Sequence, residues 1–80
     1  MQLPVIKKLV ETQSIEALKQ AEETLLQEEQ PAIDIEGEDE GEQLTHVIAA
    51  IWILEKMQTD EVAYNEACRA YTKKVRTSIS

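Results

Sequence analysis

Apolar positions along the 80-residue chain recur mostly at three- and four-residue spacing. That is the period of a helix with one covered face. Pro4 suits a first helical position. After it, Ile6, Leu9 and Val10 share one side, with Lys7, Lys8 and Glu11 on the other. "TQS" ends this first helix, over about 4–12. Ser14 can then cap a second helix over about 15–29, and Glu16 suits its positive first turn. Ile15, Leu18, Ala21 (or Glu22) and Leu25 form its stripe, and Leu26 widens it. Pro31 is expected to end it, because the residue before a proline is pushed out of the α region.

"AIDIEG" alternates apolar and polar residues. The pattern predicts an extended connector whose Ile33 and Ile35 plug the edge of a core. A strand pairing with its copy in a second subunit is the other reading. A third helix follows over about 39–58. Its centre, "VIAAIWIL", is apolar all round, as a helix buried on more than one side would be. Leu44, Val47, Ile51, Leu54 and Ile48 are assigned to the domain's own core. Ala49, Trp52 and Ile53 are then expected to stay uncovered and to form a subunit interface. Burying one large apolar side chain contributes roughly 1.5–3 kcal/mol.

"QTDE" is read as the next break, with Thr59 or Asp60 capping a fourth helix over about 60–77. Tyr64, Ala67, Cys68, Tyr71 and Val75 form its stripe, and Arg69, Lys73 and Arg76 are placed on its far side. The predicted fold is therefore all-α. It is one domain spanning 1–80, a compact bundle of about four helices that self-association can complete.

Composition sharpens this reading. A hydrophobic share of 42% with 30% charged residues fits a globular chain, and the absence of Phe makes the core aliphatic. A core of this size typically supplies only ~3–5 kcal/mol. The single cysteine excludes an internal disulfide, so association with further copies, as a homodimer or larger homo-oligomer, is the expected support. The net charge of −8 disfavours nucleic acid and anionic membrane as partners. The charge is uneven: no acid follows Glu66, while Arg69, Lys73, Lys74 and Arg76 cluster. The acidic face is left for a basic protein partner. The start of the chain lacks a signal-peptide pattern. The longest apolar run has eight residues, too few for a membrane helix. With a lone thiol, a cytoplasmic location is expected.

"DIEGEDEGEQLTH" places six carboxylates within the nine residues Asp34–Glu42, ahead of the one histidine, His46. As a calcium loop starting at Asp34 it fails, with Asp39 where glycine is required and Thr45 where the bidentate glutamate belongs. Asp39, Glu42 and His46 can line one helical face and are the candidate divalent-metal ligands. Di-iron bundles, however, use Glu-x-x-His rather than this spacing. Cys68 is the candidate for thiol chemistry, although no resolving thiol exists. No phosphate-binding glycine loop and no nucleophile elbow occurs. No catalytic residue and no cofactor is therefore expected.

At "LPVIKKLVE", "GEDEGEQLTHV" and "ILEKM" the chain resembles a small bacterial protein family of unknown function. The resemblance implies a setting beside thioredoxin and peroxiredoxin proteins, and with it a thiol-redox accessory role. The third and fourth helices are also similar to the helical pair of alkyl-hydroperoxidase-D-like proteins, whose paired cysteines are missing here. The leading expectation is a non-catalytic, homo-oligomeric interaction module. A redox accessory acting through Cys68, or a metal protein using Asp39, Glu42 and His46, is the rival.

Overall fold

Four helices follow one another without a strand in the computed structural model, which describes residues 2–79: α1 (Leu3–Thr12), α2 (Ile15–Leu26), α3 (Glu40–Asp60) and α4 (Tyr64–Ile79). Ser14 caps α2 as its sequence predicts, its Oγ accepting the Ala17 N–H at 3.1 Å. Pro4 lies in the first turn of α1, where a missing N–H costs nothing. The connector between α2 and α3 is irregular; it buries Ile35 and half-buries Ile33. Gly37 lets it run directly over α3, since a Cβ there would lie 2.9 Å from the Gln43 backbone nitrogen.

The architecture is one helix surrounded by three. Among the described residues, α1, α2 and α4 each bring their backbone close to α3 and not to one another. That arrangement corrects the expected interface. Ala49 and Ile53 have no exposed surface at all. Three neighbours do cover a helix that is apolar all round, because each takes a different side of it. Trp52 is half-buried, and Ile48, assigned to the core, is 42% exposed. The core joins Ile6, Leu9, Leu18, Leu25, Val47 and Ile53 in one cluster. Leu26 does not widen the α2 stripe: it is 65% exposed, since α2 ends there. The radius of gyration, 12.2 Å, is close to the roughly 12 Å of a compact chain this long.

Two helix ends differ from their expected positions, and both do so through a left-handed glutamate. α2 stops at Leu26, five residues before Pro31. Glu28 takes φ +60° there, with its N–H on the Leu25 carbonyl and the Glu29 N–H on the Thr24 carbonyl. This is the Schellman pattern, usually closed by glycine. α3 likewise passes the expected break. Asp60 pairs with Lys56 one turn back, Glu61 takes φ +54°, and the Val62 N–H reaches the Met57 carbonyl at 3.2 Å. Thr59 and Asp60 therefore lie inside α3 and do not cap α4.

A left-handed backbone costs a residue with a Cβ about 1–2 kcal/mol. Glycine escapes that but loses more chain entropy. Glu28→Gly is expected to raise stability by about 0.5–1 kcal/mol, read as a higher urea midpoint with unchanged slope. A lower midpoint would mean that the Glu28 side chain makes a stabilising contact.

Candidate functional site

The acidic stretch is first of all a helix start. Asp39 is the N-cap of α3, its Oδ1 accepting the Glu42 N–H at 2.8 Å. Glu42 reaches back, its Oε2 accepting the Glu38 N–H at 3.2 Å. This is a capping box displaced by one residue, since the returning carboxylate usually takes the cap's own N–H. Glu36 pairs with Lys8 across solvent at 3.7 Å. Glu38 and Glu40 are exposed, and their carboxylates make no ion pair among the described residues.

His46 lies one turn further into α3 and is fully buried. Its Nδ1 is 2.8 Å from the Glu36 carbonyl oxygen, and its Nε2 is 2.9 Å from the Gln2 backbone nitrogen. A carbonyl can only accept, so Nδ1 carries the proton. A backbone N–H can only donate, so Nε2 is bare. The imidazole is neutral in one defined tautomer. Glu42 Oε1, 3.8 Å from that bare nitrogen, is therefore not an ion-pair partner in this state. Gln2 is the N-cap residue of α1 and has no side-chain cap of its own. Through one ring, α3 holds both the start of α1 and the end of the connector.

This arrangement bears on the metal candidates. Asp39, Glu42 and His46 do line the first turns of α3, but Asp39 and Glu42 cap it and both ring nitrogens of His46 are taken. No group of three His, Cys, Asp or Glu side chains able to hold a metal ion occurs among the described residues.

A wider concavity lies elsewhere. An open groove of about 740 Å³ lies between Leu3 at the start of α1 and the α4 side chains Cys68, Arg69, Thr72, Lys73 and Arg76. It exists because α1 and α4 both pack on α3 and leave a gap between them. The expected separation of Cys68 from the cations is corrected by this placement, since all four line one groove. The signal was present as the spacing 65, 68, 69, 72, 73, 76, a helical face. Most of those residues are polar, so the face carries no apolar stripe to mark it.

Lys7 Nζ sits 5.9 Å from the centre of the Tyr64 ring. Burial pushes the Tyr64 hydroxyl up to about 12, helped by its hydrogen bond to Cys68 and by the charges of Cys68 and Glu11. Burial also raises Tyr71, whose ring packs 5.5 Å from Trp52.

Both tyrosines thus favour the neutral form in the fold. Their contribution is complete below pH 10.0, the unfolded value, and is lost as pH rises through the raised folded values, about 12 for Tyr64. Urea midpoints are expected to hold up to about pH 10 and then fall, with Tyr64→Phe flattening the fall. A profile flat to pH 12 in the wild type would contradict the burial of these hydroxyls.

The fold and its concavity define a small all-α domain: three helices around one, a histidine staple inside, and a cationic groove outside. Over residues 1–80 the chain matches, and belongs to, a family of unknown function (DUF6952). No curated protein and no solved structure matches it. Among the described residues, no helix is long and apolar enough to cross a membrane.

Proposed function

We propose that the chain is a homo-oligomeric protein–protein interaction module without catalysis of its own. The observation that carries this reading is the uncovered strip of α3. Ile48, 42% exposed, stands between half-buried Leu44 and Trp52, one turn to either side. The interface is thereby redrawn. Trp52 stays in it, Ile48 and Leu44 join it, and Ala49 and Ile53 leave it. Covering Ile48 and the free edge of Trp52 in a second copy removes apolar surface from water, each large side chain contributing up to roughly 1.5–3 kcal/mol. The single unpaired thiol suits work in the reducing cytoplasm.

Sedimentation velocity at about 10 μM tests this, in the range where weak dimers already show. The wild type is expected to sediment as more than one copy, and Ile48→Glu as a folded protein that associates less. A monomeric wild type would overturn the reading.

One observation favours a second reading, a thiol-redox accessory. Cys68 is only partly covered and lines an open groove with Arg69, Lys73 and Arg76, so a reactant can reach its sulfur. Thiol titration of the native protein separates the two. Prompt reaction of Cys68 supports the redox role, and a thiol that reacts only on unfolding removes it.

A further inference from the structure

The cations of this chain are mostly spoken for. Lys8 pairs with Glu36, Lys19 with Glu55 and Lys56 with Asp60, while Lys7 lies over Tyr64. Arg69, Lys73 and Arg76 are the exception. They line one groove and make no ion pair among the described residues, in a chain with sixteen acidic residues. The acidic stretch carries the complementary charge: Glu38 and Glu40 are exposed and, like most acids of this chain, make no ion pair among the described residues. They cannot swing to their own groove: the Asp39 and Glu42 caps fix the stretch to α3, and Gly37 packs it against Gln43.

We infer that the groove between α1 and α4 receives the Glu38–Glu40 carboxylates of a second copy of this chain. The inference rests on the self-association proposed above but uses a different surface from the Ile48 strip. Its geometry follows from the histidine staple. His46 ties the end of the connector, at Glu36, to Gln2, and Leu3, the next residue, is a wall of the groove. The acidic stretch and the groove thus flank the same end of α1. A two-fold axis near that end sets each stretch over the other copy's groove, so every contact is made twice. Arg69 and Arg76 offer planar, always-charged forks suited to carboxylates, and Leu3, 47% exposed, adds an apolar edge.

Salt gives the sharpest reading, because two effects have opposite signs. Two copies of net charge −8 repel, and screening that repulsion would tighten an apolar contact. A carboxylate-in-groove contact is short-ranged and is weakened by salt. Sedimentation velocity is therefore compared at about 0.05 M and about 0.5 M sodium chloride, which spans Debye lengths from over 10 Å to under 5 Å. The wild type is expected to dissociate more at high salt. Arg69→Glu with Arg76→Glu, and separately Glu38→Lys with Glu40→Lys, are each expected to weaken association roughly tenfold or more. An equimolar mixture of the two double variants restores it, because both crossed contacts become attractive again. Circular dichroism checks that both variants fold.

Association that tightens with salt, or that survives the charge reversals and yields only to Ile48→Glu, overturns the groove contact and leaves the self-association reading standing. A wild type that is monomeric at both salt concentrations overturns both.

Discussion

His46→Leu is expected to lower the unfolding free energy by about 2–4 kcal/mol, against a total of roughly 4–12 kcal/mol for a domain of this length. Leucine fills nearly the same volume, so the loss is not that of a cavity. It comes from two backbone groups, the Gln2 N–H and the Glu36 carbonyl, which lose their partners together. Leaving a buried donor or acceptor unsatisfied costs about 1–3 kcal/mol each. The figure stays below the sum because both sites are only partly buried and water can reach them after a small opening. In thermal unfolding the change corresponds to a fall in Tm of roughly 10–30 °C. Amide exchange gives the specific readout. The Gln2 N–H, at a helix start where amides usually exchange fast, is expected to be protected in the wild type and unprotected in the variant. A change under about 0.5 kcal/mol, the scatter of neutral surface substitutions, would sink the staple.

Ile53→Ala is expected to cost about 2–5 kcal/mol, while Ile48→Ala, five residues earlier on α3, should change monomer stability by no more than about 0.5 kcal/mol. Ile53 is fully buried where the outer helices meet α3, and Ile48 is open on one side. Deleting the Ile53 branches opens a hole that close-packed neighbours fill only in part. The pair also decides between two pictures of the same helix. If Ile53 were the interface residue and Ile48 the core residue, the costs would reverse in a dilute, monomeric sample. Equilibrium urea unfolding of both variants below the association concentration measures the difference directly.

Much of the fold was legible because it is local. Helix starts are set by residues within a turn of each other. Ser14 caps α2 and Asp39 caps α3 through side chains three positions from the amides they bind. Helix ends were read less well. Pro31 signals where a helix must have stopped, whereas α2 ends earlier, at Leu26, with Glu28 turning the chain. A glutamate in the left-handed region leaves no trace in composition, since glycine and asparagine are the usual markers. The break at "QTDE" failed for the same reason: Glu61 is the turning residue, and Thr59 and Asp60 belong to the helix before it.

The candidate site divides along the same line. The carboxylate cluster sits where the third helix begins, but which acids cap it and which stay free depends on distances of a few ångströms. His46 was visible as the only histidine, next to the apolar run. Its partners lie 44 and 10 residues away in the chain and are backbone atoms, for which no sequence pattern exists. The groove's α4 face is legible as helical spacing, but the groove itself is not, because it is the gap left between two helices that touch a third.

The sequence alone determined the class of the protein: helical period, aliphatic core, one thiol and strong acidity are properties of composition and of neighbours within a turn. The tertiary structure decided which face of α3 is covered. An apolar helix has no preferred inner side of its own, and only the directions from which α1, α2 and α4 approach it choose Ile53 for the core and leave Ile48 for solvent.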